Sequence, residues 1–227
     1  MRFRLLTALL LLSIESISQG TMDSIPNLEY DSLISYMRIE LVKSFMYDAI
    51  GEDSKPLTNK VILLAEEAIQ RKADDPLSYN YRGHAYKSQG DYYKALIDFS
   101  KASRLNPDDL FYLKFKGQCK KELKDYIGAI EAFSTLIEKP HDKDFEYFSV
   151  YSDRAYCLSM IGRITESIMD YDEVIRIDPE NGLAYFLRGL TKMQLQNKEN
   201  EACIDLSTSL ELGYEDALNA IREYCSK

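Results

Sequence analysis

A unit of 34 residues at 76–109, PLSYNYRGHAYKSQGDYYKALIDFSKASRLNPDD, returns along the chain with small shifts, and a repeat of that length constrains the fold more than any bulk property does. Residues 77–89 and 92–104 each carry apolar side chains three and four apart, the spacing of a helix that buries one face. Between them Gly90 can take a left-handed backbone that ends a helix, and Asp91 offers a carboxylate to cap the next. Asn106-Pro107-Asp108 closes the second helix, because proline cannot continue the hydrogen-bond ladder. The unit therefore reads as a helical hairpin. Gly83 and Ala95 fall at one level of it, where two small residues let the backbones approach, and Tyr79, Tyr86 and Phe99 fill the space around them.

Tyr79, Gly83, Tyr86, Ala95, Phe99, Ala102 and Pro107 give the unit a resemblance to the tetratricopeptide repeat family at every signature position. The resemblance implies an all-α fold, a right-handed α-solenoid of antiparallel helix pairs, with a capping helix at its C-terminal end. Residues 110–143 match at Gly117, Ala129 and Phe133, with Lys124 in place of the turn glycine and Pro140 one place early. After about four extra residues that include Phe145 and Tyr147, residues 148–181 match at Tyr151, Ala155, Tyr171 and Pro179. Residues 182–214 match at Tyr185, Gly189 and Ala202, with one extra residue in the turn at 196–200. Ahead of these four units, 28–50 reads as a long helix, 51–59 as a loop and 60–72 as the second helix of a degenerate repeat. Together they make an N-terminal pair within 21–75. Residues 215–227 supply the cap that an open stack of repeats needs.

The first 20 residues are a separate object. Arg2 and Arg4 precede an apolar run from Leu5 to Ile14, followed by Ser16, Ser18 and Gly20, the pattern of a secretory signal peptide. The run is about half of what a membrane-spanning helix needs, so no membrane span is expected, and no cysteine follows it to take a lipid anchor. The chain is read as exported, periplasmic or secreted. Its ending ACIDLSTSLELGYEDA resembles the close of secreted repeat proteins from Bacteroidetes-type bacteria. A formal charge of −9 over 227 residues argues against nucleic acid, which requires clustered Lys and Arg.

Nothing in the chain carries the signature of an enzyme: there is no phosphate loop and no nucleophile elbow. His84 and His141 lie in different repeats without a metal-ligand spacing, so neither a metal nor a cofactor is expected. The charged residues instead point to structure. Position seven of successive units holds Arg82, Lys116, Arg154 and Arg188, and position 23 or its shifted equivalent holds Asp98, Ala132, Asp170 and Asp205. The unit that lacks the aspartate also changes the arginine, which predicts ion pairs Arg82–Asp98, Arg154–Asp170 and Arg188–Asp205 across the two helices of each hairpin. Cys119 and Cys157 occupy the same small core position of their first helices. Cys203 and Cys225 fall at one height on the final helix pair, a spacing that permits a disulfide without requiring it.

The resemblance places the concave face on the first helices alone. Mapped on this chain it gives Asn80, His84 and Lys87, then Lys114, Gln118 and Lys121, then Tyr156 and Met160, and last Phe186, Leu190 and Met193. The cations of the earlier units and the apolar groups of the later ones predict an extended protein or peptide partner, acidic at one end and apolar at the other. The family's carboxylate clamp for chaperone C-termini needs cations across three repeats, and the third unit offers none, so that ligand is disfavoured. The alternative is a structural subunit of an envelope or secretion assembly that contacts its partners through edges or the convex face.

Overall fold

The computed structural model describes residues 28–139 and 147–225. The signal-peptide reading and the readings of Pro140, His141 and Phe145 fall outside them. The described residues form eleven helices and no strand. They are α1 Tyr30–Ile50, α2 Lys55–Arg71, α3 Pro76–Ser88, α4 Tyr92–Leu105, α5 Leu110–Glu122, α6 Tyr126–Glu138, α7 Tyr147–Met160, α8 Ile164–Ile177, α9 Gly182–Lys192, α10 Glu199–Glu211 and α11 Ala217–Tyr224. Two compact units divide within α5, the first ending at Cys119 and the second beginning at Lys120. Among the described residues no helix is long and apolar enough to cross a membrane.

In the first unit α1 packs on α2 and α3, α2 on α3, and α3 on α4. Gly83 allows the close α3–α4 contact: a Cβ there would stand 3.0 Å from the ring of Phe99, which is fully buried and would have to shift. Asp75 and Asp91 cap α3 and α4 by accepting from the backbone N–H of Ser78 and Lys94 at 3.0 and 3.2 Å. Helix α2 begins at Lys55, five residues earlier than the periodicity predicts. Pro56 sits in its first turn, where the missing N–H costs no hydrogen bond, and Thr58 is buried rather than in a loop. The degenerate pair also buries charge. Glu40 is 1% exposed and accepts from Lys60 Nζ at 2.9 Å, with Lys43 Nζ at 3.6 Å.

In the second unit each helix from α6 to α11 packs on the next. Ala155, Tyr171 and Val174 are buried between α7 and α8, and Ala202 and Leu206 lie against Gly189 of α9. The hairpin turns use one backbone solution. Gly90 in the first unit and Gly162 in the second have φ of 77° and 79°, and Lys124 takes the same left-handed conformation at 63°. Asp125 behind Lys124 caps α6 by accepting from the N–H of Gly128 at 3.0 Å.

Candidate functional site

Arg82 donates through Nε and Nη2 to the two carboxylate oxygens of Asp98, both at 2.8 Å. Arg154 holds Asp170 in the same fork at 2.8 and 2.7 Å, and Arg188 holds Asp205 at 2.9 and 2.6 Å. The three aspartates are 2–5% exposed. Burial pushes the carboxyls of Asp98 and Asp170 above the ordinary range, against the pull of the guanidinium groups beside them. Such forks fix helix register, since desolvation offsets much of the attraction. Two of these arginines make a second contact that repeat spacing does not show: Arg154 Nη1 donates to Ser134 Oγ at 3.0 Å and Arg188 Nη1 to Asp172 Oδ1 at 2.6 Å. Arg154 and Arg188 thus each tie their own hairpin to the second helix of the hairpin before it.

The residues assigned to the concave face fall into two sets, one in each unit. In the first, His84 lies among Phe115, Phe99 and Phe45, with ring centroids 4.4, 5.2 and 6.4 Å away. Lys87 Nζ donates to Gln118 Oε1 at 2.9 Å and stands over the Phe115 ring. Lys114 is 8% exposed, and Asn80 Oδ1 is buried without a partner among the described residues. In the second unit Lys121 Nζ donates to Asp153 Oδ1 at 2.6 Å and lies over the ring of Tyr156. Burial lowers the pKa of this ammonium, but Asp153 outweighs it and holds the group above the usual lysine value. A cavity of about 210 Å³ opens there among Lys121, Lys124, Tyr126 and Tyr156. Phe186 is half-buried against Tyr214 at 5.0 Å, and Leu190 and Met193 are half-buried as well.

The protein therefore supplies its own partners to Lys87 and Lys121, and what the first helices leave open is mostly apolar. Leu77, Phe111 and Leu183, each the second residue of its unit, are 40, 49 and 45% exposed, and Tyr156 and Met160 are 40 and 49% exposed. The second helices expose apolar groups too, at one recurring place: Leu63, Ile97, Met169 and Ile204. Sequence spacing showed neither the setting of His84 between Phe45 and Phe115 nor the pairing of Lys121 with Asp153, because these partners come from helices of other hairpins. Cys203 and Cys225 are joined by a disulfide that ties α10 to the end of α11, and Cys119 and Cys157 are buried thiols outside it.

Residues 76–109 match the family model of the tetratricopeptide repeat. Superkiller complex protein 3 of Mus musculus is 26% identical over 140 residues, covering 61% of this chain and 8% of that protein. The chain spans less than a third of the length of the curated relatives it matches first. Among solved structures, YrrB, described as a TPR protein with an unusual peptide-binding site, superposes with a TM-score of 0.65 at 17% identity, over 82% of this chain and 90% of YrrB. MamA from Desulfovibrio magneticus gives a TM-score of 0.64 at 17% identity, over 78% and 94% of the two chains. These likenesses show an all-α fold of the tetratricopeptide solenoid type and support the repeat assignment.

Proposed function

We propose that this chain is a non-enzymatic scaffold of the cell envelope that binds an extended segment of a protein or peptide partner against the faces of its first helices. The observation that carries the reading is the recurrence of exposed apolar side chains there: Leu77 and Phe111 in the first unit, and in the second Leu183 at the same repeat position together with Tyr156 and Met160. Apolar groups left open at a recurring place on otherwise polar helices mark an interaction face. The peptide-binding site named for YrrB is consistent with it. Export rests on the residues 1–20 pattern, and the charge of −9 favours protein over nucleic acid as partner.

A second reading, a subunit of an envelope or secretion assembly contacted through the second helices, draws on Leu63, Ile97, Met169 and Ile204. The chain lacking residues 1–20, used as bait in envelope extract, tests the first reading when compared with a Tyr156→Ser, Met160→Ser variant. Both side chains are exposed, so the variant should keep its helical signal and melting temperature while holding the captured partner at least about tenfold more weakly. Unchanged affinity would overturn the reading.

A further inference from the structure

The first unit carries an unbroken row of four aromatic rings across three helices. Phe45 of α1 meets His84 of α3 edge to face at 6.4 Å, His84 meets Phe115 of α5 at 4.4 Å, and Phe115 stacks with Phe111 at 6.5 Å. Phe99, fully buried on α4, backs His84 at 5.2 Å. The middle of the row is packed, yet both ends are open, with Phe45 and Phe111 each 49% exposed.

His84 is the polar group at the centre of the row. Among the described residues its imidazole makes ring contacts and no hydrogen bond. Burial, with help from the charge of Lys87, pushes its pKa down to about 4, so near neutral pH it holds one N–H donor and one acceptor. The charge nearest the row is committed: Lys87 Nζ bonds Gln118 Oε1 and covers the Phe115 ring at 5.4 Å.

We propose that this row is a subsite for an uncharged stretch of extended peptide, which lays an aromatic or aliphatic side chain along Phe45, Phe115 and Phe111 and exchanges a main-chain hydrogen bond with His84. The proposal deepens, and rests on, binding by the first-helix faces. Charge complementarity selects the occupant. A carboxylate would have to draw Lys87 away from Gln118 and lie against ring faces whose quadrupole repels anions, whereas a cationic side chain would meet the field of Lys87. A neutral apolar residue meets neither penalty, and its main chain presents both the donor and the acceptor that a neutral imidazole can use.

The chain has two histidines, so the His84 ring signals are identified by NMR from the spectrum of His84→Gln. The full chain is titrated with acetyl-Gly-Gly-Phe-Gly-Gly-amide and with its Asp and Lys counterparts. The Phe peptide should move the His84 signals saturably, with the charged peptides at least about tenfold weaker. A Phe45→Ser, Phe111→Ser variant with an unchanged circular dichroism spectrum should lose about tenfold in affinity. Equal affinity for the Asp peptide, no saturable shift of His84, or indifference to the two phenylalanine changes would overturn the subsite. Partner capture that still depends on Tyr156 and Met160 would then leave the broader reading standing, whereas loss of both results would remove it.

Discussion

Arg188 grips Asp205 with two parallel hydrogen bonds of 2.9 and 2.6 Å while its remaining nitrogen reaches Asp172 of the preceding hairpin at 2.6 Å. One guanidinium therefore sets two alignments at once, that of α9 on α10 and that of α9 on α8. Arg154 does the same with Asp170 and Ser134. Because Asp170 is 5% exposed, Asp170→Ala leaves the part-buried guanidinium of Arg154 without its carboxylate and should cost about 3 kcal/mol in urea unfolding. The double change Arg154→Met, Asp170→Leu should cost less than about 1 kcal/mol, since it removes the desolvation together with the attraction. Equal losses in the two variants would show that the pair contributes net stability.

Lys124 holds a left-handed backbone at φ 63°, where Gly90 and Gly162 stand in sister turns. A side chain with a Cβ costs roughly 1–2 kcal/mol in that conformation, so Lys124→Gly should raise stability by about 1 kcal/mol, and Gly162→Ala should lower it by a similar amount. Thermal unfolding of the two variants checks both signs.

The Cys203–Cys225 disulfide spans 22 residues and pins α11, whose own buried contribution is Ala217 and Ala220. Closing a loop of that length contributes about 3 kcal/mol, so Cys225→Ser should lower the stability of the C-terminal end by that order. A thiol assay on the unfolded, unreduced chain should count two free sulfhydryls, Cys119 and Cys157. Four would rule out the bridge.

His84 has a folded pKa of about 4 against an ordinary value of 6.5. The unfolded chain takes up the proton more readily, so this group's contribution is complete above pH 6.5 and is lost as the pH falls from there toward 4. The loss runs at roughly 1.4 kcal/mol per unit of difference. In His84→Gln that stretch of the stability curve should flatten, and a slope that persists unchanged would place its source elsewhere.

The hairpins were legible because signature residues and helix spacing are local, and the arginine–aspartate forks because their substitutions coincide at Lys116 and Ala132. The start of α2 at Lys55 was not legible from apolar spacing, and Pro56 is tolerated there because it falls in the first turn. What is open on the first helices was harder to see. Lys87 and Lys121 read as available cations, yet Gln118 and Asp153, each from the following hairpin, engage them. Phe186 read as an open anchor, yet Tyr214 of the turn before α11 lies against it. Such contacts depend on which helix follows in space, and periodicity within one helix holds no record of that.

Met160 on α7 and Met169 on α8 are 49 and 62% exposed on a first and a second helix of one hairpin, which makes their oxidation the most direct measurement of the central claim. Treating the chain with dilute peroxide, alone and with its captured partner, and comparing sulfoxide at the two positions by mass spectrometry reports which helix the partner covers. Binding through the first helices predicts at least about fivefold protection of Met160 with Met169 unchanged. Protection of Met169 with Met160 still reactive would contradict it and place the partner on the second helices.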